Sequence, residues 1–245
     1  MNSLNILSSA SVSFSDVGEI SRRPSFRKAT RNMILATAAI EKAILPIQSL
    51  FSEKRADFGL VLVSNSGELE TTIDFLQTLS TQKVARPLLF QNSLHNATAG
   101  FLSIHMQLQN AVISSSSGPF AEENALQTAD LLISSGHCQY CLVVSVDVWP
   151  RFDGMELKPS EDLDGSTCFV FSKTAATAKI QEIVIQEQPV EKWPCSWQPS
   201  ALSANILYCL EKAINQASGS ASSLEVEKSG YGTSRIKWTE NPLGN

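Results

Sequence analysis

Histidine is scarce in this 245-residue chain: His95, His105 and His137 are the only three, and none follows residue 137. Imidazole-based proton transfer is therefore excluded beyond that point. Basic charge is short as well. Nineteen Lys and Arg stand against twenty-four Asp and Glu, for a formal net charge of -5. A general nucleic-acid binder needs a positive field to displace counterions, so that class is excluded too. No apolar run approaches the roughly 18–20 residues of a membrane span. The opening MNSLNILSSASVSFSDVG lacks the basic n-region and apolar core of a secretory signal. These absences predict a soluble, cytoplasmic protein. Cysteine is present but odd in number: Cys138, Cys141, Cys168, Cys195 and Cys209, irregularly spaced, which suits reduced thiols rather than a disulfide framework. Cys138 and Cys141 form a lone CxxC, with no second pair to complete the four ligands zinc takes. They read as two small residues entering a buried strand, and neither a metal nor a cofactor is expected.

What remains is an ordinary globular composition, 43% hydrophobic and 18% charged, long enough for one large or two small domains. The first 20 residues are polar and weakly patterned. SRRPSFRKATRNMILATAAIEKAIL, residues 21–45, keeps an apolar stripe at helical spacing, with Pro24 near its start and Pro46 ending it. FGLVLVS (58–64), AVISSSS (111–117), CLVVSVD (141–147) and TCFVFS (167–172) predict strands. Those apolar throughout are expected to be buried on both faces. Between them, helices are predicted over 68–79, 94–108 and 119–134, the last stopped by Gly136. Further on, 180–188 reads as a strand, 200–216 as a helix carrying Leu202, Ile206, Leu207, Leu210 and Ile214, and 219–223 as a small-residue loop. The alternating SRIKWT, 234–239, reads as a closing edge strand. Apolar strands alternating with helices imply an α/β layered fold with helices on both sheet faces.

Residues 89–119, LFQNSLHNATAGFLSIHMQLQNAVISSSSGP, resemble the β-ketoacyl synthase signature: a helix beginning near an Asn and carrying A-G, then a strand leading through small residues to a cysteine at a helix start. SRRPSFRKATRNMILATAA, FGLVLVSNSGELETTIDFL and CLVVSVDVWP extend the likeness to short ketosynthase-like proteins that act as chain length factors in aryl polyene type II polyketide synthesis. The match covers roughly residues 20–175. KSGYGTSRIKW (228–238) is loosely similar to the glycine-rich last segment of a ketosynthase, with Gly230 and Gly232 in place. The resemblance implies a thiolase-like (ketosynthase) layered α/β fold: two similar halves whose sheets sandwich a central pair of helices. Here 1–20 is a polar N-terminal segment, 21–175 the ketosynthase-like half and 176–245 an abridged second half completing the same domain.

Condensation needs a thiolate at a helix N-terminus, two histidines, and two backbone N–H groups for the oxyanion. Pro119 lies nineteen residues after Gly100 and seventeen before Gly136, and both counts place it where the family has its cysteine. Proline supplies neither nucleophile nor N–H, and one lost oxyanion donor alone costs about a hundred- to thousandfold in rate. Glu122 and Glu123, in the first turn of the following helix, complement the helix dipole and disfavour a neighbouring thiolate. No catalytic residue is therefore assigned. The resemblance implies a non-catalytic subunit that pairs with an active ketosynthase and lines part of its acyl tunnel. Its dimer interface is expected at Asn96 and along Ala111, Val112, Ile113, Ser114, Ser115, Ser116 and Ser117. Phe90, Leu94, Phe101 and His105 are candidates for the residues that bound the tunnel. Arg22, Arg23, Arg27, Lys28 and Arg31 form a basic cluster on an acidic chain. That cluster is either a docking face for an acidic acyl carrier protein or a solvated helix face. Two other readings stay open: an atypical acyltransferase or decarboxylase using Ser116 or Ser117 with a histidine, and a self-associating structural protein.

Overall fold

The computed structural model describes residues 4–116, 118–150, 164–174, 178–187, 206–216, 221–228 and 232–240. The chain opens on β1 (Leu4–Ser13) and runs through short 3₁₀ turns to α1 (Arg31–Ile44) and α2 (Gln48–Lys54). Then come β2 (Phe58–Val63), α3 (Leu69–Gln82), α4 (Pro87–Asn92), α5 (Ala97–His105), β3 (Val112–Ser115) and α6 (Ala121–Ser134). β4 (Tyr140–Asp147), β5 (Gly165–Ser172), β6 (Ala178–Glu187), α7 (Ile206–Gln216), β7 (Ala221–Lys228) and β8 (Gly232–Glu240) complete it.

All eight strands form one sheet in the order β3-β2-β4-β5-β1-β6-β8-β7. β3, β2 and β4 are parallel, and the remaining pairs are antiparallel. Successive side chains of a strand face opposite ways, so each central strand feeds two cores. Leu60, Leu62, Leu142, Val144, Cys168 and Val170 meet α1 and α5 on one face. Val61, Val63, Cys141, Val143, Phe169 and Phe171 meet α6 and α7 on the other. Covered on both sides, β2 and β5 are buried at every position, which is why they are apolar or small throughout. Removing Phe58, Phe169 or Phe171 from water contributes about 2–3 kcal/mol each, since all three are fully buried.

The layered α/β expectation holds, with several corrections. The polar opening segment is a ten-residue strand in mid-sheet. A bulge between Ile6 and Ser8 sends buried Leu4 and Ile6 to the α6/α7 core and buried Ala10 and Val12 to the α1/α5 core, while the strand's serines reach partners such as the Ala43 carbonyl, 2.7 Å from Ser8 Oγ. The helix expected over 21–45 begins only at Arg31. Thr30 caps it by accepting the Met33 N–H at 3.2 Å, and 3₁₀ turns occupy Ile20–Arg22 and Pro24–Phe26. Pro46 ends α1 but sits in a 3₁₀ turn that leads straight into α2. The 94–108 helix is shorter, Ala97–His105, because Pro87 starts a separate α4 that ends at Asn92. Residues 221–223, expected in a loop, open β7. β8 is not an edge strand, since β6 and β7 flank it. The start of the 200–216 helix, Leu202 included, lies outside the described residues, as do Cys195 and Gly230. Among the described residues no second stacked sheet accompanies the first; β6, β8 and β7 extend it instead. The stretch Arg31–Asp57 is long and apolar enough to span a membrane by length and composition, against the expectation of no such run. Ten of the fourteen residues of α1 are buried, and α1 packs across β1, β4 and β5, so its apolar character serves the core.

Candidate functional site

The parallel strands end at the elbow between β3 and α6. The chain leaves β3 at Ser115, passes exposed Ser116, and turns at Gly118, whose φ of +74° suits glycine. A 3₁₀ turn, Gly118–Phe120, then leads into α6. Pro119 sits half-buried inside that turn, ahead of the first residue of α6 rather than at it. Proline at residue 119 brings neither a nucleophilic side chain nor an N–H to this elbow. Glu122 and Glu123 are in the first turn of α6 as expected, but they are buried, at 4% and 0% exposure. Glu122 accepts the Ser145 hydroxyl from β4 and the Leu207 N–H of α7 at 3.1 Å. A buried carboxylate there ties α6 to α7 through the N-terminal end of α7, where negative charge is favoured.

The segment expected to form a dimer interface lies at one margin of the sheet. Among the described residues β3 pairs with β2 alone. The Leu60 N–H donates to the Ala111 carbonyl at 2.9 Å and the Ser64 N–H to the Ser115 carbonyl at 3.3 Å. The odd-numbered residues thus bond inward, which turns the N–H and C=O of Val112 and Ser114 outward. Val112, Ile113, Ser114 and Ser115 are all half-buried. Ser114 Oγ donates to the His95 carbonyl at 3.4 Å, not to its ring. Asn96 is exposed just before α5, and Ser117 lies outside the described residues.

The four tunnel candidates separate into two pairs. Phe90 and Leu94 are 54% and 45% exposed, and Phe90 leans on Phe75 with ring centroids 5.6 Å apart. Phe101 and His105 stack with centroids 5.6 Å apart and nearly parallel rings, and both meet buried Phe26, at 5.6 and 5.0 Å. A surface groove of about 610 Å³ between α3 and α4 is lined by residues such as Asp74, Thr78, Arg86 and Leu89. None of the four candidates lines it.

The basic cluster also divides. Arg22, Arg27 and Lys28 are exposed. Arg23 is exposed too but bonds Glu41 at 2.6 Å. Arg31 is different: its guanidinium pairs with Glu70 at 2.8 Å and with buried Asp164, and lies 4.9 Å over the Phe14 ring. Its charge is engaged inside the fold, which removes it from the set available for docking.

Two acidic residues at this end of the sheet were missed by sequence reasoning. Asp147, at the end of β4, accepts the N–H groups of Asn65 and Ser66 at 2.9 and 3.0 Å and the hydroxyls of Ser64 and Ser66. It thereby fixes the loop after β2. Burial pushes its carboxyl up, against the hydrogen bonds that favour its charge. Glu68 is buried among three threonines, accepting from Thr30 at 2.9 Å, from Thr71 at 3.3 Å and from Thr98. Burial likewise raises the Glu68 carboxyl above its usual range. It joins the N-termini of α1, α3 and α5. An aspartate closing an apolar strand was the readable signal for the first; nothing local marked the second. Among the described residues no group of His, Cys, Asp and Glu is arranged to hold a metal.

Residues 37–155 match the family described as Beta-ketoacyl synthase, N-terminal domain. No curated protein sequence matches the chain. Among solved structures, the chain is similar to the ishigamide ketosynthase/chain length factor, with a TM-score of 0.72 at 14% identity over 98% of this chain and 99% of that one. It is similar to the ketosynthase ApeO in complex with its chain length factor ApeC from Xenorhabdus doucetiae, with a TM-score of 0.61 at 18% identity over 98% and 100%. It is also similar to the AntDE:AntF complex of a type II polyketide synthase acyl-carrier protein with its ketosynthase, with a TM-score of 0.75 at 11% identity over 98% and 100%. The fold is therefore a thiolase-like α/β fold, and residues 37–155 are similar to the β-ketoacyl synthase N-terminal domain. The chain shares that fold with the ketosynthase and chain length factor structures just named.

Proposed function

We propose that this chain is a chain-length-factor-type subunit, inactive by itself, that pairs with a catalytic ketosynthase and shapes its acyl tunnel in aryl polyene or related polyketide synthesis. The observation that carries the reading is Pro119. The elbow that presents the nucleophile in a condensing enzyme is kept, while the residue inside it has neither a reactive side chain nor an N–H. The β3 margin, with no further strand beside it among the described residues, supports pairing, because a sheet edge invites another strand. Exposed Leu88, Phe90 and Leu94 stand close by in the chain, and such apolar residues suit an interface rather than bulk water. In this reading Phe90 and Leu94 face the partner, while Phe101 and His105 stiffen the wall behind them. Exposed Arg22, Arg27 and Lys28 form the face offered to an acidic carrier protein. The location follows as cytoplasmic, with no cofactor required.

Co-expression with an intact type II ketosynthase tests the pairing. A stoichiometric complex is expected, with condensation of an acyl thioester only when the partner is present. Elongation by this chain alone would overturn the reading.

A further inference from the structure

Cys138 and Cys141 converge beside Gly59. In the β2–β4 ladder Gly59 is the direct partner of Cys141. The side chain that Gly59 lacks leaves room for the other sulfur: a Cβ built there would stand 3.2 Å from Cys138 Sγ. The two thiols thus share the space beside Gly59, and the Cys141 S–H faces the Leu142 carbonyl at 3.8 Å. Both cysteines are free and buried, but at different depths. Cys138 lies in the turn between α6 and β4, with exposed His137 before it and exposed Gln139 after it. Cys141 is inside β4. Cys168 packs on the opposite face of the sheet.

These surroundings divide the two sulfurs chemically. The Cys141 hydrogen bond and the Gly59 N–H favour a Cys138 thiolate and bring that thiol below its usual range despite burial. Cys141, set against Cys138 and wholly buried inside β4, is pushed well above the usual thiol range. Cys138, buried but flanked by exposed residues, is the readier of the two to ionise, and Cys141 keeps its proton behind it, which matches the attacking and resolving roles of thiol–disulfide exchange.

We propose that Cys138 and Cys141 form a dithiol–disulfide couple, with Cys138 attacking and Cys141 resolving, and a small organic disulfide as co-reactant. The Cys138 thiolate attacks one sulfur of the reagent, forms a mixed disulfide and releases the other sulfur as a thiolate. Cys141 then attacks the Cys138 sulfur, its proton passes to the departing group, and a second thiol leaves. One reagent disulfide becomes two thiols while the protein loses two hydrogens and gains one S–S bond.

The test uses the full reduced chain, oxidised glutathione as the probe, and alkylation followed by peptide mass analysis. The peptide carrying both cysteines is expected to lose two hydrogens and to resist alkylation. Cys168, Cys195 and Cys209 should still alkylate once the chain is unfolded. In Cys141→Ala, glutathione should accumulate on Cys138; in Cys138→Ala, Cys141 should stay unmodified. The wild-type measurement stands even if either variant fails to fold. Full alkylation of Cys138 and Cys141 after oxidation would overturn the proposal. So would glutathione arriving first at Cys195 or Cys209.

Discussion

Single residues carry both the proposed loss of chemistry and the points of tension in this fold. That residue 119 is a proline is plain in the sequence; its place at the nucleophile position is what the family resemblance implies, counted from Gly100 and Gly136. The burial of Glu122 was not readable, since its partners Ser145 and Leu207 come from β4 and α7, far along the sequence. Glu68 is the clearest titration centre. Its carboxyl is raised first by burial, with the Thr98, Thr30 and Thr71 hydroxyls opposing. A folded-state value above the unfolded one contributes stability that is fully present below about pH 4 and lost as pH rises through the folded value. Glu68→Gln should therefore gain on the wild type in urea midpoint between about pH 4 and pH 8. Parallel midpoints across that window would show that Glu68 bears no raised value. Gly67 is a second test. Its φ is +55°, and a Cβ there would meet His95 Nδ1 at 2.5 Å. Gly67→Ala should cost about 1–3 kcal/mol in denaturant unfolding, and a neutral result would mean the loop relaxes freely.

At the scale of elements, β2, β4 and β5 were legible because two-sided burial demands uninterrupted apolar or small residues. β1 was hidden by its serines and by a bulge between Ile6 and Ser8, which turns Leu4 and Ile6 to one core and Ala10 and Val12 to the other and so breaks the alternation. Those serines are tolerated because tertiary neighbours satisfy them, as Thr167 Oγ1 does for Ser11 at 2.9 Å. The margin of the sheet was equally hard to read. SRIKWT alternates like an edge strand, yet β7 lies outside it, and which strand lies outermost is a property of pairing, not of the strand itself. The β3 margin carries the element-scale prediction. Ser114 directs its N–H away from β2, so Ser114→Pro removes an outward donor and spares the β2 ladder. The variant should keep its circular dichroism spectrum and lose co-purification with a ketosynthase. Retained pairing would place the interface elsewhere.

For the whole molecule, charge is distributed in a way that net charge conceals. The chain is acidic overall, yet Arg22, Arg27 and Lys28 are exposed together near the start of the chain, while Arg31 is drawn inward by Glu70 and Asp164. Reversing the three exposed charges to Glu should weaken carrier-protein binding by about tenfold at low ionic strength. The difference should shrink as salt screens it. An unchanged dissociation constant by calorimetry would remove the docking role. The sequence by itself determined the layered α/β class, the buried central strands β2, β4 and β5 and the proline at residue 119, because each follows from local pattern or is written in the chain. Only the tertiary structure decided that the opening residues are a central strand, that Glu68 and Glu122 are internal ties, and that β3 lies at the margin of the described sheet. Those features depend on which distant segments meet, and a buried charge or an unpaired edge exists only once neighbours have taken their places.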